Sequence, residues 1–403
     1  MAAKQRNIMT RGGDVSMAPD PGDDRKPVKV SEPMSIFLDH VRWISALLVV
    51  IGHIRQIYFV DYHEIAHPST FWAAFYGITR LSHQAVLMFF LISGAVIAGR
   101  FMHASGWQNF SFTSYAVARL TRLWLVLLPV VTVCVALLIV TPARYLPDDC
   151  TLSTIQVLGN IFFTQEILVA PLCNNVPLWS LANEFWYYAI VGVAVFVMGA
   201  GSHFARITAA IALLACIAII AANDAFTEKN VLAYFPVWVL GAVVFLPRLS
   251  SPPVSLGLGA LAVAALVVRS PSLPFDFYVR DLIFAGAAFL ALLSVRDISA
   301  ESWFAKLMLR TSAIARPLAG QSYSLYLIHY PIVILFLPLG FDAEGIARQQ
   351  PSASGVGLMI VILAACYIAA HASYLLLESK THLVRARVSA LLAGSHARAR
   401  PPG

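Results

Sequence analysis

The sequence predicts an all-α, polytopic membrane protein of about ten transmembrane helices with both termini in the cytoplasm. Three observations carry that expectation. Of the 403 residues, 59% are hydrophobic and only 12% are charged, against about 45–50% and about 25% in soluble domains. Mean hydropathy is +0.74, and the apolar residues are gathered into runs of helix-spanning length rather than spread evenly. Lys and Arg are distributed unequally between the two sides that those runs define. A cytosolic enzyme, a disordered scaffold and a secreted disulfide mini-domain are excluded. The net charge of +7 is too dilute on this apolar bulk for a nucleic-acid partner, so membrane lipids are the expected surroundings.

Residues 1–34 read as a disordered cytoplasmic tail. The stretch from Thr10 to Arg25 is rich in Gly, Pro and charge and has no periodic apolar face. It lacks the apolar core of a signal peptide. A membrane domain is expected over 35–378, with apolar runs at 36–60, 71–99, 123–141, 178–199, 207–222, 231–246, 254–269, 280–295, 319–340 and 356–377. Residues 379–403 form a second, basic tail carrying Arg385, Arg387, Arg398 and Arg400. With both tails inside, only seven of the 28 Lys and Arg fall on the opposite side: Arg55, Arg80, Arg144, Lys229, Arg269, Arg280 and Arg348. This bias of roughly three to one sets the orientation. No repeat unit and no Gly-rich phosphate loop is present.

Several ionisable residues fall inside or at the ends of the runs, where they are costly and face protein or a wet cavity. Arg42 and His53 lie eleven residues apart on the first run, hence on one helix face about 16 Å apart. Asp39 and Arg42 stand at i,i+3 and can pair near the interface, and His53 is either a hydrogen-bonded core residue or a catalytic one. Arg119 and Arg122 share a face at the inner entrance to the third run. They are either positive-inside anchors or a phosphate clamp. Ser180 and Glu184 are one turn apart in Trp179-Ser180-Leu181-Ala182-Asn183-Glu184, and Glu184 needs a partner. In Tyr326-Leu327-Ile328-His329-Tyr330-Pro331, packing against a neighbouring helix accounts for His329. His63-Glu64-Ile65-Ala66-His67 matches a zinc-protease pattern, but Pro68 follows at once in a loop of about ten residues, so no metal site is expected. Cys150 and Cys173 share the long outer loop and can pair, while Cys134, Cys216 and Cys366 lie in spans.

Taken in order, these segments resemble the acyltransferase-3 family of multi-span membrane acyltransferases. The resemblance runs from about Leu38 to Glu378. It rests on Leu38-Asp39-His40-Val41-Arg42 with His53, and on His83 to Gly94 with its Phe89-Phe90 and Ser93-Gly94. The segments from Tyr115 to Trp124, Pro177 to Tyr188, and Gly320 to His329 complete it. The resemblance implies a multi-pass enzyme of the bacterial inner membrane. It would move an acyl group, often acetyl, from cytoplasmic acyl-CoA to a hydroxyl of a carbohydrate or glycolipid acceptor, alongside envelope-biosynthesis partners. No permanently bound cofactor is implied; acyl-CoA is the donor substrate. It further implies that His53 is general base or acyl carrier and that Arg42, Arg119 and Arg122 hold the CoA phosphates. Glu184 would orient the acceptor or the imidazole, and Trp179, Ser180 and Asn183 would lie against the substrate. Two departures stand out: Trp43 occupies the family's usual Gly position, and no periplasmic hydrolase-like domain follows the last run. The rival expectation is a transporter or flippase of a glycan or lipid-linked sugar.

Overall fold

The computed structural model describes residues 30–97, 110–142, 145–146, 150–199, 202–222, 229–246, 248–268, 276–340 and 348–398. Most of the expected N-terminal tail lies outside them. Among the described residues the chain is helical apart from short 3-10 turns and isolated bridges. The helices are α1 (Glu32–Tyr58), α2 (Thr70–Thr79), α3 (Ser82–Ile97), α4 (Phe112–Val140), α5 (Thr154–Ile161), α6 (Leu178–Gly199), α7 (His203–Ala222) and α8 (Val231–Val243). They continue with α9 (Val254–Val267), α10 (Phe277–Arg296), α11 (Trp303–Gly320), α12 (Ser322–Leu335), α13 (Leu337–Gly340), α14 (Ala353–Leu376) and α15 (Thr381–Arg398).

Among the described residues, seven segments are long and apolar enough to cross a membrane: α1, α2 with α3, α4, α6, α7, α10, and α14 running on into α15. Three shorter apolar helices, α8, α9 and α12, coincide with the other expected runs. Their 13, 14 and 14 residues rise only about 20 Å, short of the roughly 30 Å of a hydrocarbon core. The architecture is therefore that of a polytopic membrane protein with helices of unequal length. The tail-bearing side is called inner below, following the Lys and Arg distribution.

Local chemistry explains the helix starts. Ser31, Ser69, Ser111, Ser153, Ser302 and Ser352 each accept a bond from the backbone N–H three residues on, and Asp276 does the same for Val279. These caps satisfy donors that the first turn leaves open. The structure starts α1 at Glu32, just after the Ser31 cap, rather than at residue 36. The C-terminal segment expected as a basic tail is helical over Thr381–Arg398 and packs on α4.

Helix α1 is central, touching α3, α10, α11, α12 and α14. Small residues set its closest approaches. A Cβ on Gly52 would stand 2.5 Å from Ser82 Cβ, so α1 and α3 meet one residue before His53. A Cβ on Gly94 would lie 1.9 Å from the Trp238 carbonyl oxygen, and one on Gly241 would lie 2.0 Å from that of Leu91. Helices α3 and α8 thus touch backbone to backbone, the small-residue packing typical of helices in lipid. Replacing Gly94 by Ala is expected to destabilise the fold by about 1–3 kcal/mol or more, since backbone must move. A lowered unfolding midpoint in detergent checks this; an unchanged midpoint would refute the close contact.

The long outer loop is less of a loop than the sequence implied. It contains α5, its Cys150 and Cys173 are disulfide-bonded with Cα atoms 5.5 Å apart, and its interior is buried at Asn160, Phe163 and Gln165. Asn174 Nδ2 donates to the Cys134 carbonyl at 2.8 Å and Asn175 Nδ2 to the Leu327 carbonyl at 3.0 Å. The segment folds down between α4 and α12, close to His329. Buried amides there satisfy backbone groups that water would otherwise have to reach.

Candidate active site

The sequence-selected residues separate into an inner and an outer group, both reached by α1. At the inner end, Arg42 Nη1 lies 3.5 Å from Asp39 Oδ1, one helical turn away. Arg42, Arg122, Glu184 and Glu378 lie close enough for their charges to act on one another. The Arg119 guanidinium sits 5.8 Å from the Tyr188 ring and 6.0 Å from the Tyr115 ring, and that of Arg122 sits 5.9 Å from Tyr323. The aromatic faces hold both cations in place. Arg42, Arg119 and Glu184 are half-buried and Arg122 is exposed.

Glu184 accepts a bond from Ser93 Oγ at 2.8 Å and a short one from the Tyr188 hydroxyl. Ser93 Oγ in turn accepts from Trp238 Nε1 at 3.1 Å. The Gly94 contact with α8 therefore also sets the position of the group that braces Glu184. Below it, Glu378 accepts from Ser324 Oγ at 2.7 Å and from the Ser324 N–H at 3.2 Å.

At the outer end His53 meets His329, with Nδ1 of His53 2.9 Å from Nε2 of His329. The tautomers follow from the remaining bonds. His329 Nδ1 lies 2.7 Å from the Tyr326 carbonyl and 3.2 Å from that of Leu325. Carbonyls only accept, so Nδ1 of His329 carries its proton and, in the neutral ring, Nε2 accepts. His53 must then donate from Nδ1, which leaves the lone pair on its own Nε2. His329 is fully buried, while His53 is partly exposed. A buried neighbour thus holds the His53 imidazole in one tautomer.

The His53 imidazole is bonded to His329, for which packing against a neighbouring helix was expected, and the Glu184 carboxylate is bonded by Ser93 and Tyr188. Trp179, Ser180 and Asn183, expected against the substrate, are all buried and tied into the protein. Ser180 Oγ and the Tyr326 hydroxyl lie 2.5 Å apart, and Tyr326 donates to the Pro177 carbonyl at 3.0 Å. That junction fixes the turn of α12 whose carbonyl orients His329. Asn183 Nδ2 donates to the Lys229 carbonyl at 3.0 Å, and Trp179 stacks near His83 with ring centroids 6.2 Å apart. Ser180 Oγ and Asn183 Nδ2 thus tie helices together, while the buried Asn183 Oδ1 has no hydrogen-bond partner among the described residues.

One cluster escaped the sequence reading. Asp281, wholly buried, accepts from Tyr234 at 2.8 Å and Gln84 at 3.1 Å and lies 2.8 Å from His83 Nε2. Only an intramembrane Asp near a helix start hinted at it, and its partners are distant in sequence. In the outer loop, the Glu64 carboxylate accepts the Asp61 N–H at 2.9 Å within a 3-10 turn.

Replacing His329 by Ala is expected to lower turnover by more than about tenfold with donor affinity unchanged, because His53 loses the acceptor that selects its tautomer. Gln, which can accept from His53, should recover part of the loss. A change confined to affinity, or none at all, would remove His329 from the site.

Compared with known proteins, the chain matches the acyltransferase-domain family called acyltransferase 3 over residues 35–371. No curated protein and no solved structure matches it. The match takes in α1 with both Arg42 and His53, the Arg119 and Arg122 pair, the Glu184 network and His329, and its extent is most of the chain: this membrane protein belongs to the acyltransferase-3 family and is an acyltransferase.

Proposed function

We propose that this acyltransferase moves an acyl group, acetyl in the simplest case, from acyl-CoA on the inner side to a hydroxyl of a carbohydrate or glycolipid acceptor on the outer side of a bacterial inner membrane. The observation that carries the reading is the His53–His329 pair, a base with its Nε2 lone pair left open. It stands on the helix whose other end presents Arg42 beside Arg122 and Glu184.

Arg119 and Arg122, with Arg42, hold the phosphates of CoA, since guanidinium forks match phosphate oxygens. Glu184, braced by Ser93 and Tyr188, keeps this cationic cluster in register instead of touching the reacting atoms. The thioester arm of the donor rises along α1 toward His53, a distance of about 16 Å for eleven residues of helix. Nε2 of His53 takes the proton of the acceptor hydroxyl as its oxygen attacks the thioester carbonyl. The C–S bond then breaks, and the proton returns from His53 to the departing sulfur, so an ester and free CoA thiol leave. Throughout, the Nδ1–H of His53 stays directed at His329, which stabilises the transient imidazolium.

The test is CoA release by the purified protein in lipid, followed as free thiol from acetyl-CoA with a mixture of envelope glycans. Acceptor-dependent thiol release is expected. Glycan movement across the bilayer without thioester consumption would favour the transporter reading.

A further inference from the structure

Two of the seven basic residues that the chain places on its outer side meet at one carboxylate, and the charge of a third acts on one of them. Arg55 is buried, 5% exposed, two residues beyond His53 on α1. Its Nη1 lies 3.7 Å from Asp61 Oδ1, and its guanidinium lies 5.2 Å from the Tyr76 ring. Its Nε, shut away from the surface, has no acceptor among the described residues. Arg348 reaches the same carboxylate from the loop before α14, with Nη1 3.1 Å from Asp61 Oδ2. Arg80, at the end of α2, is exposed, and its charge and that of Arg348 both act on Arg55.

One carboxylate therefore answers two guanidiniums while a third stands nearby. The neighbouring acid, Glu64, is engaged by the Asp61 N–H. Cations are disfavoured on the outer side of a membrane protein, and a buried guanidinium with an unmet donor carries a desolvation cost. A staple between α1 and the loop before α14 explains Asp61 with Arg348. It explains neither the open Nε of Arg55 nor the placing of Arg80. An oxyanion bound among the three arginines accounts for both, because a carboxylate or phosphate accepts from several guanidinium donors at once. The charge of Arg55 also acts on His53, two residues earlier on α1.

We infer that the acceptor is an anionic glycan whose carboxylate or phosphate binds Arg55, Arg80 and Arg348 at the outer mouth, presenting a neighbouring hydroxyl to Nε2 of His53. This rests on the acyl-transfer reading above and adds the acceptor's charge to it.

The full-length protein in neutral-lipid nanodiscs is titrated with three trisaccharides that differ only in the terminal sugar: glucose, glucuronate or glucose 6-phosphate. At least one charged form should bind about tenfold more tightly than the neutral one, and the gap should narrow in about 1 M salt. Preference for one charged form identifies carboxylate or phosphate as the natural group. Arg80→Gln and Arg348→Gln should each cut the preference by about threefold or more, and acetyl-CoA affinity, set at the far end of α1, reports that each variant is folded. Arg80 is the sharper probe, since its exposed side chain makes no ion pair among the described residues. Equal binding of charged and neutral sugars by the unaltered protein overturns the inference. So does failure to bind either charged form, or full preference in both variants. Thiol release from acetyl-CoA is followed on the same samples. Charge preference without turnover counts against the transferase mechanism alone, and turnover without charge preference counts against this inference alone.

Discussion

Replacing His53 by Ala is expected to lower acyl transfer by about a hundred- to ten-thousandfold, the range that a positioned general base contributes. The expected loss is in turnover, because the proposed donor site, the arginine cluster near the inner end of α1, is remote from His53. Folding should survive. His53 is partly exposed, its one ring-nitrogen bond among the described residues is to His329, and a small apolar side chain is well tolerated in a membrane helix. His329 keeps its own carbonyl bonds to Tyr326 and Leu325 in the variant, so no buried donor is stranded there. The measurement is thiol release and labelled-ester formation by protein purified to equal folded yield. Unaltered turnover by a folded His53→Ala protein would end the assignment of His53 as base. It would also remove the significance of the tautomer that His329 imposes.

The second large effect is expected at Arg119 and Arg122. A charge-assisted contact to phosphate contributes roughly 1.5–3 kcal/mol, so losing one should weaken acyl-CoA binding by about ten- to hundredfold. Lys is the informative replacement. It keeps the positive charge that orients the chain in the membrane but presents a point charge where Arg presents a planar fork. The rings of Tyr115, Tyr188 and Tyr323 that hold the guanidiniums can still attract an ammonium, so gross packing should persist. Acyl-CoA affinity and membrane topology, measured together for Arg119→Lys and Arg122→Lys, separate the two roles. Reduced affinity with preserved topology supports the clamp. Affinity equal to that of the unaltered protein in both variants would leave the pair as anchors, and the donor site would have to be placed elsewhere.

The two predictions address opposite ends of one helix, and their separability is itself informative. If α1 links a donor end to a reacting end, His53→Ala should spare affinity and the Arg substitutions should act first on affinity. Loss of both quantities in every variant would indicate a fold effect. The Gly52 contact with Ser82 makes α1 sensitive to such effects.

Composition and periodicity alone were enough for the membrane class, the helical runs and the candidates on α1. Apolar length is a local property, and a lipid-spanning helix satisfies its backbone within its own segment. For the same reason Arg42 and His53 could be placed on one face from their spacing, and the Arg119 and Arg122 pair from theirs. What the chain does with its buried polar atoms is not local. His329 meets His53 across 276 residues, Ser93 meets Glu184 across 91, and Asp281 meets His83 across 198. No period or motif encodes which helix lies beside which. Only close packing decided that His329 fixes the tautomer of His53, that Ser93 and Tyr188 bond Glu184, and that Ser180 and Asn183 tie helices together. The physical reason is that in lipid a polar atom must find a protein partner or water. The partner it finds is set by helix contacts such as Gly52 on Ser82 and Gly94 on Trp238, which exist only in the assembled bundle.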